Sequence, residues 1–332
     1  MAIKIRIGIA GYGKMGKIRR ESIESSNQAE LVSIFDISGQ IVNEQGIRIC
    51  KTFDELIDSG VDAIFIATYV KDAANYTIRA LNAGKHVFCE KPPCINLDQM
   101  KEVIRVEKDQ NRILKYGFNH RFHYSIMEAK RIIDSEEMGR ILWMRGVYGK
   151  AGSIDFDKNW RNYKEFSGGG ILMDQGIHML DLFRYFSNCE QKIIKSHIVT
   201  TFWDIDSEDN AFLILESSDG VTSTLHSSAT QWRHKFLLEI ALEKGYLTLD
   251  GILSSTRSYA PETIIIGRRD FEDINLAMGK PQEHKIFYEN DNSWKYELEE
   301  FLNAINKKSK VTNGTIEDAF EVMKLIDAVY NG

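Results

Sequence analysis

The sequence is short of the residues that mark most specialised classes. It has four cysteines in 332 residues, Cys50, Cys89, Cys94 and Cys189, with no CxxC pair among them. That excludes a disulfide framework and gives no zinc-finger spacing, so the thiols are expected to be reduced and mostly buried. Prolines also number four, and two of them are adjacent, Pro92 and Pro93. No apolar run reaches the length of a membrane span, and Met1 to Ala10 interleaves Lys4 and Arg6 with isoleucines, as a strand does and a signal-peptide core does not. The expected setting is therefore the cytoplasm, with no membrane partner. A basic excess is missing too: the net charge is −6, so nucleic acid is not an expected partner. Neither internal repeats nor low-complexity segments are evident.

What remains is ordinary globular composition, 43% apolar and 27% charged, in a chain longer than one hydrophobic core usually serves. The charge divides unevenly. Up to Arg121 there are 18 Lys and Arg against 15 Asp and Glu, leaving 24 against 33 for the remainder, and all five tryptophans follow Arg121. The expected domains are thus 1–121 and 122–332.

The first domain reads as α/β. Ile3, Ile5, Ile7 and Ile9 alternate as a strand does and lead into Gly11-Tyr12-Gly13-Lys14-Met15-Gly16, followed by a helical stretch to Ser25. Strand, GxGxxG turn and helix is the order of a dinucleotide site. Gly11 allows the tight turn, Gly13 lets the backbone approach a pyrophosphate, and Gly16 lets the helix pack on the strand, with the first helical residues Lys14 and Met15 beside the phosphates. A second apolar strand ends at Asp36, twenty positions past Gly16, where a carboxylate accepts hydrogen bonds from the adenosine ribose. Its charge repels a 2′-phosphate, and Ile37 and Ser38 supply no offsetting arginine, so NAD is expected over NADP. Further strands end at Thr68-Tyr69, at Glu90-Lys91-Pro92-Pro93 and at Asn119-His120-Arg121. Ligands of open parallel sheets bind outside the carboxyl ends of the strands, which places Thr68, Glu90 and Lys91 at the nucleotide site and His120 and Arg121 beside the substrate. Asp72 is expected to cap the helix that runs to Ala83.

The second domain reads as strands divided by turns, at 141–148, 193–202, 211–216, 221–228, 236–242 and 246–249, which implies an antiparallel sheet. Ser293 and Thr315 are in position to cap two terminal helices, 294–306 and 316–330. A polar and aromatic loop, 149–166, carries Trp160, Arg161 and Tyr163, suited to stacking on a sugar face and to hydrogen bonding hydroxyls or a phosphate, or simply to pinning the loop. It runs into Gly168-Gly169-Gly170, read as a flexible feed into a helix on which Asp174 and His178 share a face four residues apart. An isolated Asp-x-x-x-His is more often structural than catalytic. His197, His226, His234 and His284 show no ligand spacing, so no metal is expected.

Four motifs together, GYGKMG at 11–16, AGKHVFCEKP at 83–92, YGFNHRF at 116–122 and GGGILMDQGIHMLD at 168–181, resemble those of the glucose-fructose oxidoreductase, inositol dehydrogenase and MocA family, in order and over essentially the whole chain. The resemblance implies a Rossmann domain followed by an α+β domain with a large, open, mostly antiparallel sheet whose outer face builds homodimers or homotetramers. It implies hydride transfer between NAD(P) and a hydroxyl or keto carbon of a sugar, nucleotide-linked sugar or cyclitol, with Lys91, Asp174 and His178 as the catalytic set. Tyr69 departs from the proline many members carry there. On this reading His178 is the acid/base, its pKa balanced between the helix N-terminus and Asp174, Lys91 polarises the oxygen, and Asp174 orients His178 or grips a hydroxyl. Two alternatives share these motifs: an enzyme that retains NAD and cleaves a glycosidic bond by transient oxidation, and a non-catalytic NAD or sugar sensor, which has no need of all three residues. No spacing in the 149–166 loop separates a free sugar from a cyclitol or a nucleotide sugar.

Overall fold

The computed structural model describes residues 4–41, 46–269, 279 and 281–332, and these fall into two compact units. The first comprises 1–119, 165–168 and 294–324, the second 120–164, 169–293 and 325–332. The break after Asn119 lies close to the expected one at Arg121. The differences are residues 165–168 and 294–324, which fall within the expected 122–332 domain and cluster with the first unit.

The first unit is built on six parallel strands, β1 (Ile5–Ala10), β2 (Ala29–Phe35), β3 (Arg48–Cys50), β4 (Ala63–Ile66), β5 (His86–Glu90) and β6 (Leu114–Gly117), in the order β3-β2-β1-β4-β5-β6. This is the doubly wound order of dinucleotide-binding sheets, with its reversal between β1 and β4. Every residue of β4 is buried, as a parallel strand covered on both faces requires. The crossovers are α1 (Lys14–Glu24), α2 (Phe53–Ile57), α3 (Val70–Asn82) and α4 (Leu97–Lys108). α3 starts three residues earlier than expected: Tyr69 is its N-cap, and Asp72 lies inside the first turn, where a carboxylate still favours the helix end. Ile5, Ile7, Ile9, Phe65 and Phe88 form the core with Leu298, Phe301 and Leu302 of a C-terminal helix. Phe301 meets Phe65 and Phe88 edge-on at 5.5 and 5.6 Å, which explains why that helix folds with the first unit.

The second unit carries α5 (Tyr124–Asp134), α6 (Ile177–Ser187) and eight strands: β7 (Ile141–Gly149), β8 (Gln191–Val199), β9 (Asn210–Ser217), β10 (Thr222–Ser228), β11 (Lys235–Leu242), β12 (Gly245–Asp250), β13 (Glu262–Arg268) and β14 (Glu283–Tyr288). The order is β14-β13-β12-β11-β7-β10-β9-β8. Every pairing is antiparallel except β7 with β10, so the sheet is mixed. α6 packs on β7 where Gly146 leaves room, since a Cβ there would stand 2.6 Å from Met179 Cγ. The opposite sheet face presents Trp143, Phe212, Ile214 and Phe287, each more than 40% exposed. Two terminal helices follow, α7 (Ser293–Lys307) and α8 (Ile316–Tyr330). Thr315 caps α8 as expected, its hydroxyl accepting the Asp318 N–H at 3.1 Å, whereas the Ser293 hydroxyl finds no partner among the described residues.

Candidate active site

In the first unit the GxGxxG turn is fixed by close approach. Gly11 has φ +90°, and a Cβ on it would lie 2.5 Å from the Ala67 carbonyl oxygen. A Cβ on Gly16 would lie 2.1 Å from the Gly11 carbonyl oxygen, so both positions admit only glycine. Gly13 differs, because a Cβ there would meet nothing within 4 Å. Gly13 is also the N-cap of α1 and no side chain caps the helix, so the N–H groups beyond it, at exposed Lys14 and half-buried Met15, are presented to an anion.

Asp36 stands at the end of β2. Its Oδ2 accepts the Tyr12 N–H at 2.6 Å, and its Oδ1 accepts the Ser38 N–H at 2.9 Å and hydroxyl at 2.6 Å. Burial opposes the charge, but these bonds outweigh it and hold the carboxyl below its ordinary range. The turn, the uncapped helix end and this anionic acceptor fit the pyrophosphate and adenosine ribose of a dinucleotide. Thr68 is half-buried just past β4, its hydroxyl directed to the Tyr69 carbonyl at 3.2 Å.

Glu90 ends β5, and its carboxylate is taken by Arg19 Nε at 2.5 Å. Arg19, fully buried, also binds Glu297 of α7 at 2.7 Å and lies over the Phe88 and Trp294 rings. Burial pushes Glu297 up to about 6. Two carboxylates sharing one guanidinium thus tie the strand end that carries Lys91 to α1 and α7. Lys91 itself is half-buried and joined to Pro92 by a cis peptide.

The second unit gathers most of the other candidates. Residues 172–176 form a π-helical turn leading into α6, a feature frequent at functional positions. Asp174 lies on this turn. It pairs with Lys150 Nζ, which reaches it from the end of β7, and with Arg161 Nε at 3.8 Å, while Gln175 Nε2 donates to it at 3.3 Å. His178, 3% exposed, is stacked on His120 with ring centroids 3.6 Å apart and planes 13° from parallel. His120 Nε2 lies 2.8 Å from the Tyr148 hydroxyl, and the Tyr148 ring is 6.2 Å from that of His178. Burial, with Tyr259 and Asp174 adding, raises Tyr148 well above the ordinary tyrosine range, so it holds its proton as a hydrogen-bonding group.

Two candidates are engaged otherwise. Arg121 forms a bidentate pair with Asp181 at 2.8 and 2.6 Å, both side chains almost wholly buried. Trp160 is covered by the Arg161 guanidinium, 4.3 Å from its ring centroid. The triglycine is not a loose feed: Gly169 and Gly170 are buried against Tyr330 and Glu208. His226 is stacked on Phe212 at 4.2 Å and bonded to Asn210 at 3.0 Å. No group of three or more His, Cys, Asp or Glu able to hold a metal occurs among the described residues.

Sequence reasoning passed over Lys150, Tyr148 and Glu208. Tyr148 lies in β7 and Lys150 directly after it, and the alternation of buried Met144, Gly146 and Tyr148 placed Tyr148 on the inner face; Glu208 carried no local signal.

Comparison with known proteins gives a consistent result. Residues 5–118 match the model described as an oxidoreductase family with NAD-binding Rossmann fold, and residues 126–248 match the GFO/IDH/MocA C-terminal domain. A scyllo-inositol 2-dehydrogenase (NAD(+)) of Bacillus subtilis strain 168 is 27% identical over 262 residues, covering 74% of this chain and 73% of that protein. In fold, the chain is similar to a levoglucosan dehydrogenase in complex with NADH and levoglucosan, with TM-score 0.86, 20% identity and 99% and 97% of the two chains covered. It is similar as well to a 3-ketoreductase from Actinomadura kijaniata in complex with TDP-benzene and NADP, with TM-score 0.83, 19% identity and 99% and 98% covered.

Proposed function

The chain belongs to the GFO/IDH/MocA family of NAD(P)-dependent oxidoreductases, and from that premise we propose that it moves a hydride between NAD and a secondary hydroxyl or keto carbon of a sugar, nucleotide-linked sugar or cyclitol. The observation that carries the reading is the buried stack of His178 on His120, with Tyr148 beside both and the charged cluster of Asp174, Lys150 and Arg161 within the same unit. Burial leaves an imidazole to exchange its proton with a bound substrate in preference to bulk water.

The N–H groups at the start of α1 would hold the pyrophosphate, and Asp36 would accept from the adenosine ribose; the nicotinamide, when bound, would supply the hydride acceptor or donor. In the oxidation direction His178 receives the hydroxyl proton as the C–H bond breaks, and in reduction it returns that proton to the alkoxide oxygen. Stacking on His120 fixes the plane of the ring. Lys91, as a cation, stabilises the charge that develops on oxygen. Asp174, held by Lys150 and Arg161, is oriented to accept from a neighbouring substrate hydroxyl. Arg121 is paired with buried Asp181 next to His120 in the chain. The charge of Asp36 favours NAD over NADP.

The outward sheet face supports self-association. The register brings Trp143, Val147, Phe212, Ile214, Leu237 and Ile265 to one side, a partly apolar surface of the kind a second copy covers.

Replacing His178 by Ala is expected to lower turnover by about 10² to 10⁴, the range of a positioned acid or base, with NADH affinity unchanged. Equal turnover in that variant sinks the assignment.

A further inference from the structure

Glu208 gathers an unusual number of donors from one short segment. Its carboxylate, on a residue 4% exposed, accepts the Gly170 N–H at 3.0 Å to both oxygens, the Leu172 N–H at 3.0 Å and the Tyr330 hydroxyl at 2.8 Å. Its backbone carbonyl accepts the Ile171 N–H, also at 3.0 Å. Three consecutive N–H groups at the start of the helical segment are thus satisfied by one residue, in the region where a helix leaves its donors unpaired. The next turn is the one that holds Asp174, whose own N–H bonds the Gly170 carbonyl at 3.0 Å.

Gly169 and Gly170 fit this contact closely. A Cβ on Gly170 would stand 2.1 Å from the Glu208 carbonyl oxygen, and one on Gly169 would stand 2.2 Å from the Tyr330 hydroxyl. Tyr330 comes from the end of α8, so the clamp joins the residues ahead of β9, the turn at 169–172 and a terminal helix. The neighbouring Asp209 does similar work on another loop, accepting the N–H groups of Thr201, Phe202 and Trp203. The Glu208-Asp209 pair ahead of β9 therefore fixes two loops, one through each side chain. A π-helical turn is less favourable than an α-turn, and one that persists does so because its surroundings determine it.

We propose that Glu208 and Tyr330 are positioning residues: together they clamp the Gly169–Leu172 turn and so set where Asp174 and His178 stand for the hydride-transfer reaction. This rests on the catalytic reading of those two side chains. Neither Glu208 nor Tyr330 touches substrate in this account.

The test uses the full-length protein with the variants Glu208→Gln, Glu208→Ala, Tyr330→Phe and His178→Ala. Amide hydrogen exchange is followed over residues 169–187, and NAD reduction is measured with myo-inositol and D-glucose as probes. In Tyr330→Phe the thermal midpoint and NADH affinity stay near wild type, while exchange across 169–176 speeds by about tenfold and kcat falls by about 10- to 100-fold at unchanged KM for NAD, since small misplacement of reacting groups is costly. Glu208→Ala shows a larger effect in both readouts, and Glu208→Gln, which keeps an acceptor oxygen, recovers part of it. Wild-type exchange in Tyr330→Phe and Glu208→Ala overturns the clamp, whether or not either probe is turned over. Faster exchange with kcat unchanged overturns the positioning role. If His178→Ala keeps full turnover, the catalytic reading fails instead, a result separate from the exchange data.

Discussion

Asp36 offers a prediction whose size follows from its surroundings. Three hydrogen bonds, from the Tyr12 N–H and from the Ser38 N–H and hydroxyl, keep it anionic at the end of β2. Arg20, the basic side chain beside Tyr12, donates to the Tyr12 hydroxyl and to Glu24, so its charge is already shared. A 2′-phosphate bears a charge of about −1.5 to −2. Unit charges about 5 Å apart repel by about 3 kcal/mol at an effective dielectric of 20. Scaling up for the phosphate charge and down for the half-exposed position of Asp36 leaves roughly 2 to 3 kcal/mol against NADPH, about 30- to 150-fold in affinity. Asp36→Asn keeps one carbonyl acceptor but removes the charge, and is expected to abolish most of that preference while weakening NADH only a few-fold. Equilibrium titration with NADH and NADPH, followed by nicotinamide fluorescence, measures this without any substrate. Equal binding of the two by wild type, or an undiminished preference in Asp36→Asn, refutes the reasoning.

Other expectations follow from the buried charges and the outer sheet. Arg121→Met strands Asp181 without its bidentate partner and should cost about 3 to 5 kcal/mol in urea unfolding, with the double variant Arg121→Met/Asp181→Leu recovering much of it; a loss under about 1 kcal/mol contradicts the buried-pair account. Glu297, pushed up to about 6 from an ordinary 4.5, favours the folded state fully below pH 4.5, and that contribution is lost as pH rises through 6. Between about pH 4.5 and 7.5, wild type should therefore lose up to about 2 kcal/mol of stability relative to Glu297→Gln; a stability difference that does not change with pH argues against it. Trp143→Glu, on the outward face of β7, should reduce the sedimenting mass to that of one chain, and an unchanged mass removes that face as the interface.

Where local geometry depends on short stretches, the sequence was readable. Gly11, Gly13, Gly16 and Asp36 lie on one strand-turn-helix-strand run, in which Gly16 is held against the Gly11 carbonyl and Asp36 is bonded to Tyr12 and Ser38. The same holds for Thr315 capping α8. Long-range contacts left no such trace. Lys150 meets Asp174 across 24 residues, Glu208 reaches Gly170 across 38, and Arg19 binds Glu297 across 278. Only folding brings these together. α7 could not be assigned to the first unit from its own pattern, because an amphipathic helix does not name the surface it covers. β13 and β14 were missed for different reasons: β13 has a run of three isoleucines that lacks alternation, and β14 is an edge strand whose residues are nearly all exposed. The triglycine was misread as flexible, since glycine serves loose chain and closest packing alike, and only Glu208 and Tyr330 decide between them.

The central claim is hydride transfer with His178 as acid/base. Its most direct test is absorbance of NADH while the protein and NAD are offered inositols, aldoses, amino sugars and nucleotide sugars, with wild type and His178→Ala in parallel. The account predicts NADH formation from one of these classes by wild type and a loss of about 10² or more in the variant. If NAD binds and no member of the panel is oxidised, or if the variant reduces NAD as fast as wild type, the claim is contradicted.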